Sequence, residues 1–320
     1  SAFLSRLDSL PIKQSPPKPH GLPFTGGWFV YAGYEILHTI EPSVPAPQVD
    51  AFPLAALLRI PVAILHCRAT GRSCAVLEDG FEPQLDILMS DIQSANWQAQ
   101  ALRVEALHAE DPAQFVAAVQ KIQVYIAAGD VFQVNLSRQW QAQLADAVQP
   151  ADVYAALRAV NPAPFSGIAQ LGDASVISSS PERLIEVRKQ HIHTRPIAGT
   201  HPRSSNIEED QALKQRLIES PKERAEHIML IDLERNDLGR ICQTGTVKVD
   251  ELMGVYSYQY VHHIESIVSG TLKPALSVGD LWRAMFPGGT ITGCPKVRTM
   301  QIIRELESTP RGAYTGSMGY

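Results

Sequence analysis

Carboxylates, a histidine pair and a glycine-rich loop mark the parts of this sequence that could do chemistry. In SPKERAEH (220–227), Glu223 and Glu226 stand three residues apart on one helical face. Ser220 at the N-cap, Pro221 at the first helical position and Glu223 at the third spell a capping box, so Glu223 has a structural reading beside a ligating one. Capping does not explain Glu226. It leads into the apolar run Ile228-Met229-Leu230-Ile231, where a carboxylate is costly unless it meets a cation or a metal. Paired oxygen ligands with room for water and substrate are what Mg2+ takes. Further along, Asp232 lies inside the same run and has Arg235 three residues on, and residues 232–237 read mainly as structural ion pairing.

FPGGTITGCPK (286–296) reads as a loop running into a helix whose first residue is Pro295, where free backbone N–H groups favour an anion. Gly288 and Gly293 have the spacing of a phosphate-binding loop, but Cys294-Pro295 replaces the Lys and Ser/Thr, and two threonines with Lys296 suit a carboxylate better than a triphosphate. A tight turn that merely starts a helix accounts for the same residues. RPIAGT (195–200) is either a plain turn or a close backbone approach to a ligand. SSSPER (178–183) offers hydroxyls and Glu182 between two strands. A long strand over 256–268 places Tyr258, Tyr260, His262, Ile264 and Ser266 on one face and Gln259, Val261, His263, Glu265 and Ile267 on the other; the pattern does not choose between the histidines.

These segments need a scaffold, and 320 residues are ample for one. Hydrophobic residues are 45% and charged residues 19%, the balance of a soluble globular chain. Lys plus Arg is 28 against 33 for Asp plus Glu, a net charge of -5 without a basic block, which argues against nucleic acid as a partner. The longest apolar run, 54–67, is broken by Arg59, Pro61 and His66 and is too short to span a membrane. Cys67, Cys74, Cys242 and Cys294 form no CxxC pair, as expected of free thiols in a reducing, cytoplasmic compartment, and no signal peptide opens the chain. The absence of an initiator Met and the stop at Tyr320 inside a strand pattern read as the ends of a fragment.

Proline-rich stretches at 11–23 and 45–53 flank a strand in GGWFVYAGY (26–34), and 61–67 with 73–77 suggest a hairpin through Thr70-Gly71-Arg72. Asp111-Pro112 opens a helix that ends at Gly129, followed by a strand over 131–140 and a helix over 151–160. Short strands at 164–171, 175–179, 183–188 and 191–195 follow, antiparallel because their turns are short. After the helix from Ser220 come strands at 246–251 and 256–268 and helices at 278–285 and 295–307. Interleaved strand and helix runs without a βαβ period predict a large α+β fold.

In this order, SSSPERL (178–184), RPIAGTHPR (195–203), SPKERAEHIMLIDLERNDLGR (220–240), YVHHIES (260–266), FPGGTITGCPKVRTMQII (286–303) and RGAYTGSMGY (311–320) resemble the chorismate-utilising enzymes, the family of aminodeoxychorismate synthase component I, anthranilate synthase component I and the isochorismate synthases. The resemblance runs from about residue 111 to the end, with an echo at 25–34. It implies an α/β/β/α layered fold with two packed, mainly antiparallel sheets, residues 1–110 forming its amino-terminal part and 111–320 the chorismate-binding part of one interleaved domain. It further implies Mg2+ held by Glu226 and Glu223, Glu182 as general acid, His263 and Lys296 as catalytic residues, and substrate contacts from Gly199, Thr200, Gly289, Thr290, Tyr314 and Gly316. A second pair of family carboxylates and a carboxylate-gripping Arg would follow Tyr320, so the span alone is expected to be weak or inactive.

The implied reaction is amination of chorismate with ammonia from a separate glutamine amidotransferase subunit. Four spellings favour the aminodeoxychorismate branch, which gives 4-amino-4-deoxychorismate for para-aminobenzoate and folate: FQVNL (132–136), VHH (261–263), GGTITG (288–293) and GSMGY (316–320). One departs from it. Ala198 stands where that branch commonly has a nucleophilic Lys and is the anthranilate synthase spelling, in which ammonia adds at C2 and pyruvate leaves. A third reading is a catalytically dead module that binds chorismate or tryptophan.

Overall fold

The computed structural model describes residues 2–10, 21–46 and 52–320. Helix α1 (Ala2–Asp8) precedes β1 (Gly27–Ala32), a 3-10 turn (Tyr34–Ile36) and the short α2 (Leu37–Ile40). Strands β2 (Ala55–Ile60), β3 (Val62–Cys67) and β4 (Arg72–Leu77) lead to α3 (Glu82–Ser94) and β5 (Val104–Ala109). Next come α4 (Pro112–Ala127), β6 (Gln133–Val134), β7 (Trp140–Leu144), α5 (Pro150–Val160), β8 (Phe165–Leu171) and β9 (Ala174–Ser180). Then follow β10 (Glu186–Arg188), β11 (His191–Thr194), β12 (Ile197–Pro202), α6 (Ile207–Glu219) and α7 (Pro221–Ile241). The last elements are β13 (Lys248–Ser257), β14 (Val261–Thr271), α8 (Val278–Met285), β15 (Gly293–Cys294), α9 (Lys296–Leu306) and β16 (Ser317–Gly319).

Every strand pairing among the described residues is antiparallel. The largest sheet runs β10-β11-β14-β12, with β13 also on β14; a second sheet runs β16-β1-β2, and the other strands pair two by two. This is the mixed helix-and-sheet class expected from the interleaved pattern. Most of the proline-rich stretches, at 11–20 and 47–51, lies outside the described residues. All four cysteines are free thiols, and no helix among the described residues is long and apolar enough to cross a membrane.

Helix α7 lies against β14 and β12, and its composition explains why. Its buried residues His227, Leu230, Ile231, Leu233, Glu234, Asp237, Leu238 and Ile241 fall mostly on one 3.6-period stripe. Ile231, Leu238 and Ile241 join Ile192 of β11, Val268 of β14 and Leu281 and Met285 of α8 in the main core. The ionisable members lie among them, which a purely structural helix would avoid. Leu238 is fully buried, so Leu238→Ala is expected to cost about 3 kcal/mol through lost transfer energy and a cavity. Urea unfolding should show a lower midpoint at unchanged slope.

Five sequence expectations are corrected. The strand expected over 131–140 is only β6 and β7, because the intervening backbone bonds elsewhere: Asn135 N–H donates to Thr292 O, Asn135 O accepts from Arg311 and Ser137 N–H donates to Glu307. The strand over 256–268 is a hairpin, turned where Tyr258 N–H donates to Val261 O at 2.8 Å. Only half of the capping box on α7 forms, with Ser220 Oγ accepting from Glu223 N–H at 3.3 Å. Asp232 does pair with Arg235 at 2.8 Å, but both are exposed. Pro295 is the N-cap of α9 rather than its first residue.

Candidate active site

The bent edge of the large sheet positions the histidine. Between β12 and β14 the register slips after Ala198, and Gly199 is left as a bulge with Thr200 opposite His263. Gly199 has φ +71, and a Cβ there would meet Leu217 Cδ1 at 3.0 Å and Glu223 Oε2 at 3.1 Å. A left-handed, side-chain-free residue is therefore needed to bring β12 against α7. His263 Nδ1 lies 3.2 Å from Gly199 O and 3.1 Å from Thr200 Oγ1. A carbonyl oxygen only accepts, so this contact assigns a proton to Nδ1.

His262 points the other way. It is 1% exposed, with Nδ1 2.8 Å from Ser257 Oγ and Nε2 3.0 Å from Asp210. Arg203 grips the same Asp210 through two nitrogens and holds its carboxyl well below the usual range. The strand thus uses one histidine to tie α6 to the sheet and presents the other to the bulge.

Glu182 follows β9, where Thr290 Oγ1 donates to its Oε1 at 2.6 Å. The residue keeps some exposed surface, but its carboxyl end is enclosed. Burial, with further help from the charges of Glu234 and Glu265, pushes this carboxyl up to about 8. Glu234, 3% exposed on α7, is pushed up to about 7 by its own burial, with Lys296 opposing. The adjacent Gly289 N–H donates to Glu234, so consecutive residues of the glycine loop are tied to two different buried carboxyls. Gly289 also packs closely on α7, since a Cβ there would meet Leu233 Cδ2 at 2.3 Å.

In the glycine loop the amides of Gly289, Thr292 and Gly293 are already bonded within the protein. Residues 286–289 are buried, and Thr292 Oγ1 donates to Gly288 O at 2.9 Å while Gly293 N–H returns to Gly289 O at 3.0 Å. Lys296 lies beneath the loop in a buried ion pair with Asp237, so its ammonium neutralises α7 at that level. Tyr314 is half exposed, with its hydroxyl 3.5 Å from Asn135 Nδ2. Gly316 closes the turn beside it, donating to Ala313 O.

Glu223 and Glu226 occupy the stripe of α7 that carries Glu234 and Asp237, about two to four turns nearer its N-terminus, and both are half-buried. Gln133 Nε2 donates to Glu226 Oε1 at 2.9 Å, leaving Oε2 free of that bond. Among the described residues no cluster of three or more His, Cys, Asp or Glu is poised around one metal. Two carboxylates with spare oxygens fit Mg2+, which keeps several waters and binds through one or two carboxylates plus substrate.

Sequence reasoning gave no site role to Gln133, Glu234, Glu265 or Arg311. Glu265 is 1% exposed, accepts from Tyr258 at 2.5 Å and pairs with Arg195 at 2.6 Å, in a geometry that is an ion pair rather than a hydrogen bond. Helix-face counting from Glu226 reaches Glu234 directly. Nothing local in the sequence marks the other three.

An antiparallel α+β scaffold that gathers an enclosed acid, a bulge-held histidine and a paired carboxylate helix agrees with the family comparison. The chain matches the chorismate binding enzymes over residues 3–320 and belongs to that family. It is 39% identical over 312 residues to an anthranilate synthase component I-like protein of Synechocystis sp., covering 94% of this chain. It is 52% identical over 206 residues, 64% of this chain, to aminodeoxychorismate synthase component 1 of Bacillus subtilis. The chain spans 63% of the first relative's length and 43% of the second's. Anthranilate synthase component I from Streptococcus pneumoniae superposes with a TM-score of 0.85 at 31% identity, over 100% of this chain and 73% of that one.

Proposed function

We propose that the full-length protein aminates chorismate at C4, giving 4-amino-4-deoxychorismate, with ammonia delivered by a glutamine amidotransferase subunit. The observation that carries this reading is Glu182, an enclosed carboxyl that holds its proton at neutral pH beside Thr290. A leaving hydroxyl needs such a donor. In the overall step the C4–O bond breaks, Glu182 passes its proton to the departing oxygen to make water, and a C4–N bond forms. The nitrogen sheds one proton, which restores Glu182.

Glu226 and Glu223 would hold Mg2+, which when bound supplies positive charge for the ring carboxylate and draws electron density from the diene. Thr200, Thr290 and Tyr314 supply hydroxyls to the substrate, and Gly199, Gly289 and Gly316 let backbone come close to it. His263, with a proton held on Nδ1, presents Nε2 as an acceptor when its ring is neutral. Lys296 acts from below, through Asp237, on the charge of the α7 stripe.

The 52% identity to the Bacillus subtilis aminodeoxychorismate synthase component supports C4. Ala198, 8% exposed beside the bulge and without a nucleophile, favours a second reading, amination at C2 with loss of pyruvate to anthranilate. Incubating the full-length protein with chorismate, Mg2+ and ammonium separates them. Chorismate should disappear only when both additions are present, and the product should keep the enolpyruvyl mass; anthranilate as the main product would sink the C4 assignment.

A further inference from the structure

Arg311 lies 8% exposed between the glycine loop and the segment carrying Tyr314 and Gly316, and each of its five guanidinium N–H groups has an acceptor. Nε donates to Glu307 Oε2 at 2.8 Å. Nη2 donates to Glu307 Oε1 at 2.6 Å and to Asn135 O at 2.5 Å. Nη1 donates to Ile291 O at 3.1 Å and to Thr315 Oγ1 at 3.3 Å. The guanidinium carbon also lies over the rings of Tyr34, at 4.8 Å from the centroid, and Tyr314, at 5.5 Å.

The same residue is anchored through its backbone. Glu35 accepts from Arg311 N–H at 2.7 Å and Gly312 N–H at 3.0 Å. Glu307 in turn accepts from Ser137 N–H at 2.8 Å. One side chain therefore joins α9, the segment after β6, the glycine loop and the Tyr314 turn. A lysine would bring three donors on a point charge and could not span that fork.

We propose that Arg311 is the positioning residue of the ligand site: it locks the Ile291 carbonyl, and with it the Thr290 loop, in register with Tyr314, and so governs capture of the substrate. This rests on the reading that chorismate binds between these loops. It predicts a split that a general loss of stability would not give. In the full-length protein, Arg311→Lys, which keeps the charge opposite Glu307, should raise KM for chorismate about tenfold or more, with kcat within about threefold. The Mg2+ concentration for half-activation should stay the same. Glu307→Gln should show the same split at smaller amplitude.

Hydrogen exchange tests the geometry without any substrate. Amides of residues 286–294 and 311–316 should exchange together about tenfold faster in Arg311→Lys, while those of α7 stay protected. Unchanged KM and unchanged loop exchange, with only a lower melting temperature, would overturn the proposal, as would a fall in kcat at constant KM. If the native protein does not turn over chorismate at all, the functional reading fails by itself. Joint loosening of the two loops would then still support Arg311 as their lock, and independent exchange would overturn it.

Discussion

Glu182→Gln should lower kcat for chorismate by about 10²- to 10⁴-fold with little change in KM, the range for removing a positioned general acid. The amide keeps an oxygen to accept from Thr290, so the packing survives while the transferable proton is lost. The pH profile provides the second signature. With its carboxyl at about 8, Glu182 holds its proton at neutral pH, and on the proposed role kcat of the native protein should fall as pH rises through that region. The variant's residual activity should lack this limb.

Stability responds through the same proton. The ordinary value for this carboxyl is 4.5 and the folded value is raised, so between about 4.5 and 8 the native state binds a proton that the unfolded chain has released. Stability from this group is full below 4.5 and is lost as pH climbs through about 8. Glu182→Gln should therefore flatten the decline in melting temperature between pH 6 and 9 and be more stable than the native protein at the alkaline end. Parallel melting curves across that range would contradict an enclosed, protonated Glu182.

Glu226→Gln should all but abolish turnover, by about 10³-fold or more, if Glu226 supplies a metal oxygen. The replacement amide can still accept from Gln133 Nε2, so the melting temperature should move little. Calorimetric titration with Mg2+ should lose its binding heat in the variant. Retained Mg2+-dependent activity would refute the assignment, whereas loss of activity with loss of fold would be exposed by the melting curve.

Much of this arrangement is legible in residue types. Ser220-Pro221 announces α7, the Glu223 and Glu226 spacing places both on one stripe, and Asp111-Pro112 opens α4 with the Asp111 side chain accepting from Ala113 N–H. Such signals act within one or two helical turns. The choice between His262 and His263 is not of that kind. It depends on the Gly199 bulge and on Asp210 of α6, 52 residues from His262, and alternation along β14 is satisfied either way.

The missing half of the strand at 131–140 fails for a related reason. Its hydrophobic pattern is that of a ladder, but Asn135 O is claimed by Arg311, 176 residues away. Glu234 was hidden differently, among Asp232, Arg235 and Asp237, which look like one surface charge cluster. The helix separates them by angle: Asp232 and Arg235 face water, whereas Glu234 and Asp237 face the glycine loop and Lys296.

The central claim is amination of chorismate at C4 by this site. Its most direct measurement is NMR of the product formed by the full-length protein from carbon-13-labelled chorismate and nitrogen-15 ammonium in the presence of Mg2+. A one-bond carbon–nitrogen coupling at C4, with the enolpyruvyl group retained, is the expected result. Coupling at C2, with pyruvate released, would contradict it.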